Sequence, residues 1–137
     1  MGEGGSGGRI EAGLKVGMSW NESDILAARR AIFEAAQDML AGTLSYIEGA
    51  RKIFAAMEAS RLDDRDADLL PFVGIVSETD ALPFGEMRTH WQAAALEALQ
   101  PKIAEMEAWA RRFGEPYCIN LVDRFSSGKI KLRPWGG

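Results

Sequence analysis

Reactive side chains are scarce in this 137-residue sequence, which contains a single cysteine, Cys118, and a single histidine, His90. One cysteine cannot form an internal disulfide framework, and such scarcity is typical of a reducing compartment, so we expect a cytoplasmic protein. Cys118 lies on an apolar helical face, which indicates an inert core residue rather than a nucleophile. The chain also lacks a Gly-x-Ser-x-Gly elbow and a His-rich cluster. We therefore predict no catalytic residue, and we favour a binding protein over an enzyme.

Long apolar runs and an excess of positive charge are also missing. No apolar stretch approaches the ~18–20 residues that span a bilayer, so we expect no membrane partner. The net charge of −4 argues against a nucleic-acid-binding module, which usually presents a basic face. Residues 1–19 contain seven glycines and no apolar signal-peptide region, and we interpret them as a flexible Gly-rich tail.

The sequence does contain helical periodicity. Between residues 20 and 57, apolar side chains recur at steps of three and four, as one face of a helix requires. Gly42 and Thr43 interrupt this pattern: they either end a first helix or lie inside one long, bent helix at a cost of about 1 kcal/mol for the glycine. We favour the long helix. The apolar residues are Ile25, Ala28, Ile32, Ala36, Met39, Leu40, Leu44, Ile47, Ala50, Phe54 and Met57.

A second amphipathic stripe runs from Trp91 to Phe113, in an arm that begins near residues 83–86. The stripe keeps its phase across Pro101, which predicts a kinked helix or two helices that abut at this proline. We expect Gly114 and Pro116, just beyond the stripe, to end the arm.

The remaining segments complete the predicted architecture. The apolar run at residues 69–76 contains Pro71 and Gly74, which favours an irregular buried segment near 69–84 over a helix or a central strand. Residues 117–125 place apolar side chains on one face and predict a short closing helix, and residues 126–137 form a basic C-terminal tail. The sequence therefore predicts an all-α fold, a bundle of three to five helices in one domain at residues 20–125.

The acidic turn Asp64-x-Asp66-x-Asp68 resembles the start of a calcium loop. Such a loop needs a glycine at its sixth position and a glutamate at its twelfth, where this chain has Leu69 and Ile75. We therefore predict a solvated acidic turn rather than a calcium site.

A polar stretch, residues 77–80, lies between the two helical arms. Its short oxygen-bearing side chains can accept hydrogen bonds from backbone N–H groups before a helix. Its acids can pair with a nearby arginine, Arg51 or Arg88. A buried Trp91 would anchor the junction. One interpretation is a hydrogen-bonded corner that orients the second arm, and the other is a recognition patch, because loops on a rigid scaffold often carry binding residues. The candidate binding residues of this polar corner are Glu48, Arg51, Glu78, Thr79, Asp80, Arg88, His90 and Trp91.

A metal-binding or enzymatic bundle is the alternative interpretation of the same region. Glu86 and His90 are one helical turn apart, and three further acids, Glu48, Glu78 and Asp80, could supply oxygen ligands. Di-iron bundles, however, use a Glu-x-x-His motif on each of two helices, and this chain has one histidine at the wrong spacing. We therefore predict no metal ligand and no cofactor.

Three segments of the chain carry a resemblance to known sequences: residues 47–51, residues 66–75 and the motif S-E-T-D-x-L-P-x-G-x-x-R-x-x-W at residues 77–91. On these segments the chain resembles a group of short bacterial proteins of unknown function. The resemblance implies a cytosolic bacterial origin and a helical fold, and it implies no activity.

The function that these observations favour is a non-enzymatic protein–protein interaction module, one version of which is an immunity-like or antitoxin-like inhibitor. Residues 63–80 carry six acidic residues against one arginine, so they could face a basic partner, whereas residues 123–137 carry four basic residues against one acid. The same asymmetry could join copies of the chain, so a structural homo-oligomer stays open.

Overall fold

The computed structural model describes residues 22–83 and 91–132. These residues form four α-helices and no β-strand: α1 (Glu22–Ala41), α2 (Tyr46–Ser60), α3 (Leu70–Thr79) and α4 (Ala93–Ser126). Helices α1 and α3 each pack against both α2 and α4. The predicted all-α bundle of three to five helices is therefore confirmed.

Gly42 ends α1, so the single long helix that the sequence favoured is wrong. Gly42 has a φ of +83°, in the left-handed region that glycine adopts without steric cost. Its N–H donates to the carbonyl of Met39 (3.2 Å), and the N–H of Thr43 donates to the carbonyl of Asp38 (3.0 Å). This pair of bonds is a Schellman motif, which satisfies carbonyls that the end of α1 would leave open.

A second glycine, Gly49, brings α1 and α2 close together. A Cβ atom at Gly49 would overlap the buried side chain of Met39, whereas a Cβ at Gly42 would meet nothing within 4 Å. The lack of a side chain therefore permits the close helix approach at Gly49, whereas Gly42 permits the turn.

Helix α3 occupies most of the segment that was expected to be irregular, so that expectation is wrong for residues 70–79. Pro71 lies in the first turn of α3, where its missing N–H has no helical partner to lose. Gly74 lies in the middle and costs about 1 kcal/mol relative to alanine. Burial of Phe72 and Ile75, both with no exposed surface, offsets that cost.

Helix α4 is continuous over 34 residues and contains both Pro101 and Pro116. The kinked-helix interpretation of Pro101 agrees with this continuity, but Gly114 and Pro116 do not end the arm, and the separate closing helix is part of α4. Gly114 is buried at a helix crossing rather than at a helix end. Among the described helices, none combines the length and the apolar character that a membrane span needs.

The core lies between the four helices and extends past the end of α4. Ile130 is 4% exposed and belongs to the core, and Leu132 packs against it, although both lie in the segment that the sequence indicated as a basic tail. A Schellman motif at Gly128 (φ +80°) turns the chain back towards the bundle after α4. The other core residues are Ile32, Ala35, Ala36, Met39, Tyr46, Ile47, Ala50, Ile53, Leu69, Phe72, Ile75, Leu82, Ala110, Cys118, Leu121 and Phe125.

Candidate functional site

The structure brings two residues of the predicted polar corner together, Arg51 and Thr79. The guanidinium of Arg51, on α2, donates hydrogen bonds to the backbone carbonyls of Thr79 and Leu82 at the end of α3. Thr79 is fully buried, and its hydroxyl donates to the carbonyl of Ile75 (2.7 Å). These contacts tie α2 to the end of α3, which supports the interpretation of this part of the corner as a structural junction.

Glu48 belongs to the start of α2. The N–H of Glu48 donates to the hydroxyl oxygen of Ser45 (3.0 Å), and that hydroxyl donates to a carboxylate oxygen of Glu48 (3.3 Å). Ser45 is the N-cap of α2, so this pair closes the first turn as a variant of the capping box. The role that the structure shows for Glu48 is therefore capping of α2.

The remaining polar-corner residues are exposed or lie outside the described part of the chain. Glu78 and Asp80 are exposed at the end of α3. Trp91 is 36% exposed, so the prediction that it anchors the junction as a buried side chain is wrong. Arg88 and His90 lie outside the described residues. Within the described ranges, no three residues of the His, Cys, Asp or Glu type come together as metal ligands would.

An ion cluster that the sequence did not reveal connects the acidic turn to α4. Arg124 donates two hydrogen bonds to the carboxylate of Asp66 (2.8 and 2.9 Å) and one to Asp68 (2.8 Å). Asn120 donates to the other oxygen of Asp68 (3.0 Å). The side chains of Asp66 and Asp68 are only 13% and 15% exposed, so the expectation of a solvated turn is wrong for both. The hydrogen bonds from Arg124 hold the pKa of Asp66 below its usual range.

A second long-range contact, also missed in the sequence, lies at the start of α2. The backbone N–H groups of Tyr46 and Ile47 donate to the two carboxylate oxygens of Glu107, at 2.6 and 3.2 Å. Glu107 is on α4, so its negative charge sits at the positive end of α2 and satisfies N–H groups that the helix leaves open. No sequence signal links residues that are sixty positions apart, because only the fold brings them together.

Cys118 lies in the core, as predicted. It has no exposed surface, and burial raises the pKa of its thiol to about 12. The thiol therefore stays protonated at neutral pH and is a poor nucleophile.

The described residues do present an apolar surface where α3 meets α4. Leu70 is 46% exposed and Phe113 is 41% exposed. The ring of Phe113 approaches Gly74, where a Cβ would lie 3.9 Å from it, and Leu70 is one helical turn before Gly74 on the same face of α3. Trp109 stacks on Phe113 with ring centroids 5.4 Å apart and planes at 10°. We call Leu70, Gly74, Trp109 and Phe113 the α3/α4 apolar surface.

The spacing of the aromatic residues on α4 could have indicated this surface. Trp109, Phe113 and Tyr117 follow each other at steps of four, which places them on one face of a helix, and Tyr117 lies 6.3 Å from Phe113 between ring centroids. In the sequence they merge with the core stripe, because the core-facing residues of α4 are one position away.

Taken together, the fold and these contacts define a small all-α helical bundle with an exposed apolar surface built on two helices. No protein-family model matches the chain, and neither the curated proteins nor the solved structures provide a significant match.

Proposed function

We propose that this protein is a non-enzymatic module that binds another protein through the α3/α4 apolar surface. The observation that supports the proposal is the exposure of Leu70 on α3 and of Phe113 on α4, where the Phe113 ring approaches α3 at Gly74. Single exposed apolar residues are common on proteins, whereas a group of aliphatic and aromatic side chains on one face is typical of interaction sites.

The α3/α4 apolar surface is well suited to act as a preorganised site. Arg124 and Asp66 fix the start of α3 against α4, and Arg51 fixes the end of α3 against α2. Trp109 and Phe113 are held by mutual stacking, so few side-chain rotations remain to be lost on binding. Aromatic residues of this kind dominate the energetics of many interfaces.

The exposed acids at the two ends of α3 suit a basic partner, which is the inhibitor-like version of the proposal. Glu78 and Asp80 are exposed at the end of α3, and Asp63 and Asp64 are exposed before its start. Asp66 and Asp68 are paired with Arg124 inside the chain, so they add less negative potential than the sequence suggested. Acids at the two ends of α3 would speed association with a basic protein and make it sensitive to salt.

We also propose a cytosolic bacterial origin. The free, buried Cys118 suits a reducing compartment, and the motif at residues 77–91 supports the bacterial assignment through the resemblance described above.

The experiment is a pull-down with the full chain at low and high salt, using wild type, Phe113→Ser and Ile119→Ser. Both residues are exposed on α4, at 41% and 53%, but Ile119 is not part of the α3/α4 apolar surface, so it is a matched control. We expect wild type and Ile119→Ser to retain the same partner, and Phe113→Ser to lose it. Equal retention by all three chains, or no partner at either salt, contradicts the proposal.

A structural homo-oligomer is the second candidate, because the same apolar surface could pair with a copy of itself. Light scattering over a range of protein concentrations distinguishes the two. A mass that rises with concentration in wild type and stays monomeric in Phe113→Ser indicates self-association, whereas a constant monomer mass leaves the surface for a different protein.

A further inference from the structure

A concave surface lies between α1 and α2 and shares no residue with the α3/α4 apolar surface. It is an open groove of about 390 Å³, lined by α1, α2 and the turn between them. That volume is within the range of ~300–1,000 Å³ that is usual for binding clefts. The lining residues are Ala31, Glu34, Ala35, Asp38, Leu44, Lys52, Ala55 and Ala56.

The floor and walls of this α1/α2 groove are small and apolar. Four alanines line it where larger side chains would fill the space between the helices, and Leu44 is the one large apolar side chain in the lining. A row of small residues lets another helix approach closely, but it does not define what approaches. The charges along the two edges of the groove indicate which kind of partner would bind there.

Those charges have opposite signs on the two edges. Glu34 and Asp38 are one helical turn apart on α1, and Lys52 is on α2. All three are exposed, and none forms an ion pair with another residue in the part of the chain that the structure describes. With respect to the described residues, the groove therefore presents two carboxylates without an ion-pair partner along one edge and an ammonium group without one along the other.

We propose that the α1/α2 groove binds an amphipathic helix of another protein whose charge pattern is the complement of these edges. The helix places lysine or arginine one turn apart against Glu34 and Asp38, an acidic residue against Lys52, and small or medium apolar residues along its centre. This is the helix-in-groove mode of recognition, in which apolar burial supplies the affinity and edge charges set the orientation.

A helix fits these observations better than a small zwitterion. The three charged groups are exposed, so solvent and salt screen their attraction for a small ligand. A helix covers the alanine floor along its length and adds apolar burial that a small ligand cannot match.

The test is a library of single helices with one face randomised, displayed on yeast and selected against the full-length protein. We expect the selected helices to carry basic residues at a spacing of three or four along one edge and an acid along the other. Selected helices without this pattern would overturn the proposal.

The selected helices are then measured against two charge-reversed proteins, Glu34→Lys/Asp38→Lys and Asp63→Lys/Asp64→Lys. Asp63 and Asp64 are exposed and outside the groove, so the second protein changes the net charge equally. We expect the first to weaken binding about tenfold and the second less than about threefold. Lys52→Glu should weaken binding as well, and an acid-to-lysine change in the helix should restore it.

Three outcomes overturn the assignment and point elsewhere. Binding that survives the groove variants but fails in Phe113→Ser would show that the selected helices use the α3/α4 apolar surface. Concentration-dependent NMR shifts of the groove amides in the protein alone would identify a second copy as the occupant. Shifts of the same amides with millimolar free lysine, in the absence of helix binding, would identify a small zwitterion site. Thermal unfolding of each variant checks that its fold is intact.

Discussion

The two halves of α4 have the same helical pattern but different surroundings. Between residues 110 and 126 the helix buries five residues, whereas between 93 and 109 none of its residues is buried. At 1.5 Å per residue, α4 is about 51 Å long and α1 about 30 Å, so α4 exceeds its longest neighbour by several turns. The buried residues are Ala110, Gly114, Cys118, Leu121 and Phe125.

The ion pairs of the two halves differ in the same way. In the C-terminal half, Arg124 binds the partly buried carboxylates of Asp66 and Asp68 at 2.8 Å. In the N-terminal half, Lys102 and Glu105 are 3.9 Å apart, with side chains 57% and 72% exposed. Only the first arrangement is shielded enough from water to stabilise the fold appreciably. The difference shows that an apolar stripe identifies a face for burial but not whether a neighbour covers it.

The largest effect that separates the halves is expected from truncating a leucine in each. Leu121 is fully buried, and Leu121→Ala should lower the free energy of unfolding by about 2–5 kcal/mol. Leu99 is half-buried, and Leu99→Ala should lower it by less than about 1 kcal/mol, since little packing is lost. Urea unfolding followed by circular dichroism measures both. Equal losses would mean that the N-terminal half is as tightly packed as the C-terminal half.

A smaller difference is expected from the basic residues. Arg124→Ala should cost about 2 kcal/mol, because it leaves Asp66 and Asp68 partly buried without their cation. Lys102→Ala removes an exposed pair and should cost less than about 0.5 kcal/mol. The same urea unfolding at neutral pH compares the two, and Arg124→Lys tests the contribution of the forked guanidinium.

Lowering the pH tests whether the stability lost in Arg124→Ala depends on the charge of Asp66. Arg124 lowers the pKa of Asp66 in the folded protein, so this stabilisation is present above the ordinary carboxyl pKa of 3.8. It is lost as the pH falls through 3.8 and then through the lower folded-state value. The stability difference between wild type and Arg124→Ala should therefore shrink on acidification to about pH 2. A constant difference would show that Arg124 acts through packing rather than charge.

The helical architecture was predictable, because it depends on local signals. The apolar steps around Ile32 and Ile47, and the phase kept across Pro101, are properties of neighbouring residues, and they predicted the all-α bundle. The ends of the helices were less predictable, because each end depends on whether local backbone bonds that terminate a helix outweigh the packing that favours its continuation. At Gly42 a favourable φ and two hydrogen bonds end the helix, whereas at Gly114 packing against other helices keeps it continuous.

The candidate site was less predictable than the fold. Arg51 and Thr79 do meet, but as a backbone junction, and the strongest polar contacts join residues that are far apart in the sequence, such as Asp66 and Arg124. A single sequence records the charge of each residue but not the distance between them. The exposed position of Phe113 has the same origin, because it depends on where α3 lies against α4.

The smallest effect on stability is expected from replacing either of two glycines with alanine. Gly114 is in the C-terminal half of α4, and Gly74 lies beside it on α3. A Cβ at Gly114 would lie 3.2–3.4 Å from buried atoms of Ile75, Phe72 and Tyr46, whereas a Cβ at Gly74 would meet only Phe113 at 3.9 Å. Alanine gains about 0.5–1 kcal/mol of helix stability at either position, but overpacking at Gly114 costs about 1–3 kcal/mol. We therefore expect Gly74→Ala to raise the melting temperature and Gly114→Ala to lower it. If both substitutions raised it, the C-terminal half of α4 would have to be looser than these distances indicate, and its contrast with the N-terminal half would largely disappear.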